Sequence, residues 1–127
     1  MFQIDSLSRK PVYEQLIEQL ERFILSGVLH AGDQLPSVRS LSLELSINPN
    51  TIQKAYTELD IRGIIYSIPG IGCFISEDAV SLVSQFKRRK LATLKALAEE
   101  LLLADVTAEE LHKTIDEACE ERGATHD

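Results

Sequence analysis

Leu35-Pro36-Ser37-Val38-Arg39 and, after a short apolar-polar run, Ile47-Asn48-Pro49-Asn50-Thr51-Ile52-Gln53-Lys54 decide how this chain folds. Pro36 disfavours helix in the residue before it. Ser37 is a good N-cap for a short helix that turns Val38, Leu41 and Leu45 inward. Ser46-Ile47-Asn48 is a turn, Asn48 caps the next helix and Pro49 takes its first position, where a missing N–H does no harm. Ile47 and Ile52 stand where a hydrophobic staple would fix the direction in which the chain enters that helix. Two short helices joined by a tight turn, the second opening on polar side chains and burying Ile52, Ala55, Tyr56 and Leu59, form a helix-turn-helix that offers a recognition helix to DNA.

The flanks extend the pattern. On the N-terminal side, Pro11 starts a helix with Val12, Leu16, Leu20, Phe23 and Ile24 at helical spacing, and Glu14, Glu18, Glu21 and Arg22 on the other side. Gly27 stops it, Gly32-Asp33 is a turn signal, and Gln34-Leu35 reads as a short extended piece. On the C-terminal side Gly63 ends the recognition helix. Ile64 to Ile68 and Cys73 to Ile75 read as strands joined by the turn Pro69-Gly70-Ile71-Gly72. The expected fold class is mainly α with a small β-hairpin wing: a winged helix-turn-helix head over residues 1–78 and a C-terminal helical dimerisation tail over 79–127. In the tail, one helix is expected from about residue 79 to 104, roughly 39 Å long at ~1.5 Å per residue, with a register shift at Lys87-Arg88-Arg89-Lys90. Asp105-Val106-Thr107 breaks it, and Thr107 with Glu110 fits a capping box before a last helix. An irregular end is expected from Gly123 to Asp127. The tail's apolar positions, Val83, Phe86, Leu91, Leu94, Leu97, Leu101, Leu111 and Ile115, are the expected dimerisation residues.

Composition bounds the rest. With 127 residues and 44% hydrophobic content the chain suits one small domain and an appendage. It has no apolar run approaching the ~20 residues of a membrane span and no visible secretory signal, so the cytoplasm is the expected compartment. Cys73 and Cys119 are far apart and form no ligand pair. His30, His112 and His126 are isolated from one another at metal spacing. Glu99-Glu100 and Glu109-Glu110 diverge around their helices, so they make no catalytic dyad. No nucleophile motif, phosphate loop or metal site is found; neither an enzyme nor a cofactor is expected. The net charge of −7 argues against DNA, because nonspecific affinity comes mainly from basic groups meeting phosphates. Residues 1–78 alone are net −4, so any DNA surface has to be a local arrangement.

That arrangement is expected on the outward arc of the third helix. Asn50 and Gln53 can donate to and accept from the major-groove edge of adenine; Thr51 and Thr57 can bond phosphate or touch a thymine methyl; Lys54 can reach phosphate or guanine. Arg39, one turn into the second helix, can reach a base edge or the backbone, and Ser37 is placed for a phosphate. Gly70 and Gly72 at the hairpin tip would let the backbone approach the minor groove. The Lys87–Lys90 run reads as a solvated face or as a phosphate clamp.

Pro11-Val12-Tyr13-Glu14-Gln15-Leu16, Gly32-Asp33-Gln34-Leu35-Pro36-Ser37-Val38-Arg39, Asn48-Pro49-Asn50-Thr51-Ile52 with Lys54-Ala55-Tyr56, and Gly70-Ile71-Gly72-Cys73-Phe74-Ile75 resemble the GntR family of bacterial transcription regulators. The short helical tail looks like that of its YtrA-like branch. The resemblance implies a homodimer on a pseudo-palindromic double-stranded operator, acting as a repressor of a transporter operon and of its own gene. It matches Arg39, Asn50 and Thr51 to DNA-contacting positions, Gln53 and Lys54 less strictly, and Gly70 to the wing tip. The hairpin departs from the family's frequent basic or polar residue between the wing glycines, carrying Ile71 instead. Larger members have a separate ligand domain; here two helices cannot enclose a pocket of ~300 Å³, so any small-molecule effector would bind between protomers. Two other readings stay open: a protein-interaction winged helix, favoured by the acidic balance, and a small-molecule sensor with vestigial DNA binding.

Overall fold

A computed structural model of the chain describes residues 1–126, and side chains within residues 1–123. The elements run α1 (Val12–Leu25), α2 (Val38–Leu45), α3 (Pro49–Ile61), β1 (Ile65–Ile68), β2 (Gly72–Ile75), α4 (Ala79–Arg88), α5 (Lys90–Leu103) and α6 (Ala108–His126). They divide into two compact units, Met1–Phe86 and Lys87–Asp127.

In the first unit the local stop and start signals act as their chemistry requires. The Ser37 hydroxyl accepts the Ser40 N–H at 3.0 Å, and the Asn48 side chain accepts the Asn50 N–H at 2.8 Å. Between the two caps Ser46 takes the left-handed conformation that turns α2 into α3. Leu16, Leu20 and Ile24 of α1 meet Leu41 of α2 and Ile52, Ala55 and Leu59 of α3 in a core closed on one side by Ile64, Ile65 and Ile75. β1 and β2 are antiparallel with Ile65 opposite Ile75 and Ile68 opposite Gly72. Residues 32–35 run along the other edge of β2: Leu35 N–H donates to the Cys73 carbonyl and Ile75 N–H to the Asp33 carbonyl, both at 2.9 Å. The extended piece expected at Gln34-Leu35 is thus a third edge of the wing.

Three expectations are corrected here. The first unit runs past residue 78, because Ala79 and Val83 of α4 are buried in its core, Val83 completely. Val83 is therefore engaged by its own head and is not exposed for a second chain. Phe86 lies with the Arg62 guanidinium 3.9 Å above its ring. Apolar periodicity identified the buried face of this helix but not the surface that buries it. Second, Glu21 is not on the solvent side of α1. It is 2% exposed and pairs with Arg62 at 3.7 Å, while the Arg62 Nε donates to Glu58 at 2.9 Å. Arg62, at the C-terminal end of α3, thereby ties together α1, α3 and α4.

Third, the long helix expected over residues 79–104 is interrupted at Arg89, dividing it into α4 and α5. In the second unit α5 has no buried residue at all. Asp105, at a φ of 67°, turns the chain between α5 and α6. The capping box forms as read: Thr107 N–H donates to the Glu110 carboxylate at 2.8 Å and Glu110 N–H to the Thr107 hydroxyl at 3.1 Å. α6 continues through Gly123, where an irregular end was expected; Asp127 lies outside the described residues.

Candidate nucleic-acid interface

α3 is divided lengthwise by its own sequence. Ile52, Ala55, Tyr56 and Leu59 recur at helical spacing and are buried. Asn50, Gln53, Lys54 and Thr57 repeat the same spacing on the opposite side and are all exposed. The buried side is held by packing and by a hydrogen bond from the Tyr56 hydroxyl to the Pro36 carbonyl at 2.6 Å. Burial, with a smaller contribution from the neighbouring Cys73, pushes the Tyr56 phenol well above its ordinary range, so it stays a donor. A helix fixed this firmly presents its outer face with little freedom to reorient.

On that face the side chains are arranged unequally. Gln53 Nε2 donates to the Thr57 hydroxyl at 3.1 Å, linking two of the candidate base-reading groups along the helix. Lys54 Nζ sits 3.9 Å from the centre of the Tyr13 ring, which seats the ammonium at the α1 side of the face. Arg39 is exposed on α2 and Thr51 is half-buried at the edge of the arc. Ser37 is exposed, but its oxygen already accepts the Ser40 N–H, so its hydroxyl hydrogen is what remains for a phosphate. The structure brings Ser37, Arg39, Asn50, Thr51, Gln53, Lys54 and Thr57 onto the helix-turn-helix. An open groove of about 370 Å³, bordered by Gln53, Thr57 and Asp60 on one side and Ser67 and Cys73 on the other, separates α3 from the wing.

The wing tip gives its two glycines different roles. Ile71 N–H donates to the Ile68 carbonyl at 3.0 Å, closing a turn with Pro69 and Gly70 at its centre; Gly70 has a φ of +77°, as the second central residue of a type II turn requires. Space around Gly70 is open. Gly72, at +145°, is packed instead: a Cβ there would lie 2.5 Å from the Gln34 side-chain nitrogen. Gln34 in turn donates to the Ile71 carbonyl at 3.0 Å. Gly72 therefore has a structural reason to be glycine: its φ of +145° strains any other residue, and a Cβ would also displace the end of Gln34. Sequence reading missed Gln34, Arg62 and Tyr13 as positioning residues. Each acts on a residue far away in the chain; Tyr13 and Gln34 stood within recognised stretches, but only as residues of the motif, and Arg62 stood in none.

In the second unit Leu91, Leu94 and Leu97 of α5 and Ile115 of α6 are exposed, and Leu101 and Leu111 half-exposed. With Ala98 they line an open groove of about 390 Å³ that is apolar almost throughout, with Lys95 and His112 also on its lining. Among the described residues no group of His, Cys, Asp and Glu could hold a metal ion, and no helix is long and apolar enough to cross a membrane.

Residues 12–75 match the family model described as bacterial regulatory proteins, gntR family. The HTH-type transcriptional repressor YtrA of Bacillus subtilis (strain 168) is 42% identical over 118 residues, covering 92% of this chain and 91% of that protein. The crystal structure of a transcriptional antiterminator from Listeria monocytogenes EGD-e superposes with a TM-score of 0.76 at 35% identity, over 94% of this chain and 90% of that one. The DNA-binding domain of AraR, crystallised in complex with operator ORX1, is similar at a TM-score of 0.51 and 29% identity, over 60% of this chain and 93% of that one.

Proposed function

Because the chain belongs to the gntR family of bacterial regulatory proteins, and is a DNA-binding transcription regulator rather than an enzyme, we propose that it is a homodimeric repressor of a pseudo-palindromic operator. Two heads insert their α3 helices into successive major grooves, roughly 34 Å apart, and occupancy blocks polymerase. The observation that carries this reading is the open face of Asn50, Gln53, Lys54 and Thr57 on a helix whose other face is fully packed. Asn50 and Gln53 read base edges, Lys54 and Arg39 meet phosphate or guanine, Ser37, Thr51 and Thr57 support them, and Gly70 brings the wing tip close to the duplex. The similarity to the repressor YtrA supports repression; control of a transporter operon and of the chain's own gene is what the family resemblance implies. AraR's operator complex supports DNA as the partner.

The tail joins the heads. Leu91, Leu94, Leu97, Leu101, Leu111 and Ile115 border an apolar groove that a second copy of α5 and α6 would fill. Phe86 and Val83 are left out of that seam by their place in the head. An effector would act by binding one arrangement of the two heads better than another, from a site between protomers. The test is binding to the promoter upstream of the chain's own gene, titrated against salt. Lys54→Ala weakens binding to all sequences alike and lowers the dimer's salt slope by about two, roughly one for each head. Asn50→Ala changes base preference. A wild-type chain that shifts no promoter fragment specifically overturns the reading in favour of a protein-interaction module.

A further inference from the structure

From Ile64 to Ser76 the wing contains no charged residue. A wing that joins the DNA surface of α3 must therefore contribute through something other than phosphate neutralisation. The tip shows what. Ile71 is 63% exposed, and Tyr66 and Ile68 on β1 are 41% and 38% exposed, so the hairpin carries a run of apolar side chains out into solvent. Single exposed apolar residues are ordinary, but three on one short hairpin, with a β-branched side chain in a turn where Gly, Asn, Asp and Ser are usual, are not.

The tip is also braced. Gln34 holds the Ile71 carbonyl, Gly72 makes room for Gln34, the Ile68–Ile71 turn is closed by a hydrogen bond, and Tyr66 stacks on Phe74 at 5.7 Å. A projecting aliphatic side chain on a rigid mount, on a hairpin whose Ser67 and Cys73 border the groove beside Gln53 and Thr57 of α3, has the form of a wedge. Inserted in the minor groove, such a side chain separates neighbouring base pairs, most cheaply at pyrimidine–purine steps.

We infer that Ile71 is an apolar wedge that partly unstacks a base step in the minor groove beside each half-site, giving the operator a preference for a deformable step there. The inference rests on the DNA-binding reading above. It makes the wing's contribution independent of salt and specific in sequence, the opposite of a basic wing.

The experiment uses the full chain and duplexes that the wild type selects from a random pool, carrying 2-aminopurine at each step flanking the half-sites. Wild type is expected to raise the fluorescence at one step on each side. Ile71→Ser, at a solvent-exposed position, is expected to abolish that rise and to weaken binding of the dimer roughly a hundredfold, the loss of one buried aliphatic contact, about tenfold, in each head, with the salt slope unchanged. Ile71→Leu retains the signal. A wild type that selects a site while Ile71→Ser keeps both affinity and fluorescence overturns the wedge alone, and leaves the apolar tip to a protein partner. A wild type that selects no sequence at all overturns the DNA-binding reading, and the wedge with it.

Discussion

Replacing Arg62 by Met should destabilise the head well beyond what exchange of a surface residue does. Met keeps the aliphatic stem and removes the guanidinium, so the exchange isolates the charge. Three contacts go. The pairing with Glu58, whose side chain is 40% exposed, contributes only about 0.3–0.5 kcal/mol. The stacking over Phe86 adds roughly 0.5–1 kcal/mol. The Glu21 contact dominates, because Glu21 is 2% exposed and its buried carboxylate loses the facing guanidinium charge. Breaking a buried pair costs about 3–5 kcal/mol; Arg62 is itself 21% exposed and 3.7 Å away, which places this pair near the lower end of that range or just below it. The total comes to about 4 kcal/mol, or a fall of roughly 16–32 °C in Tm for a domain of this size.

The assay reads the head alone, since the only tyrosines are Tyr13, Tyr56 and Tyr66 and there is no tryptophan. Tyrosine fluorescence followed through urea should show the midpoint falling by about 1–2 M. A double variant, Arg62→Met with Glu21→Leu, should recover most of the loss, because an apolar replacement of a buried pair is close to neutral. An Arg62→Met midpoint within about 0.5 kcal/mol of wild type would refute the reasoning, as the pair would then be as weak as a surface one.

The Tyr56 phenol is raised above its ordinary value of 10 chiefly by burial, so the folded head favours its protonated form. That contribution is fully present below pH 10 and is lost as pH rises toward the folded value. Tyr56→Phe should therefore flatten the alkaline fall in head stability, read by denaturation at stepped pH, while lowering neutral-pH stability by about 1 kcal/mol through the lost hydrogen bond to Pro36. Gly72→Ala should destabilise the wing by roughly 1–3 kcal/mol, seen as faster amide exchange from Ile68 to Ile75; adding Gln34→Ala relieves the clash but not the φ of +145°, so protection returns only in part. Leu94→Glu should shift the chain toward monomer in sedimentation equilibrium and leave the tyrosine-detected melt of the head unchanged; an unaltered dimer would remove Leu94 from the proposed seam.

What the sequence made legible was whatever acts over one helical turn. Ser37, Asn48 and the Thr107–Glu110 box bond to groups two or three residues away, so residue type and spacing suffice to identify them. The two faces of α3 follow from the same short period. Glu21 with Arg62, Gln34 with Ile71, and Val83 in the head core each depend on where a distant segment lies, and side-chain type alone points the wrong way for two of them. A glutamate on a helix reads as solvated, and a valine after a hairpin reads as the start of the next element. The interruption at Arg89 falls inside the Lys87–Lys90 run where the apolar register shifts, a mark that located the change but did not by itself say that the helix ends there.

The acidic balance, the strongest sequence argument against DNA, looks different once the partners are known. Glu18 is held by Lys10 at 2.7 Å, Glu21 and Glu58 converge on Arg62, and Asp33 accepts the His30 N–H at 2.8 Å. Four of the head's acids are thus engaged inside the head. The outward face of α3 has no acid from Asn50 through Thr57, and its one cation is seated on Tyr13. Such a surface neutralises few phosphates, and each phosphate forgone removes about 0.9 from the salt slope. On the reading proposed above, affinity then comes from amide side chains on base edges and from an uncharged wing. Those contacts are made only where the sequence fits, so a head with little charge to offer gives up nonspecific binding first and discrimination between sites last.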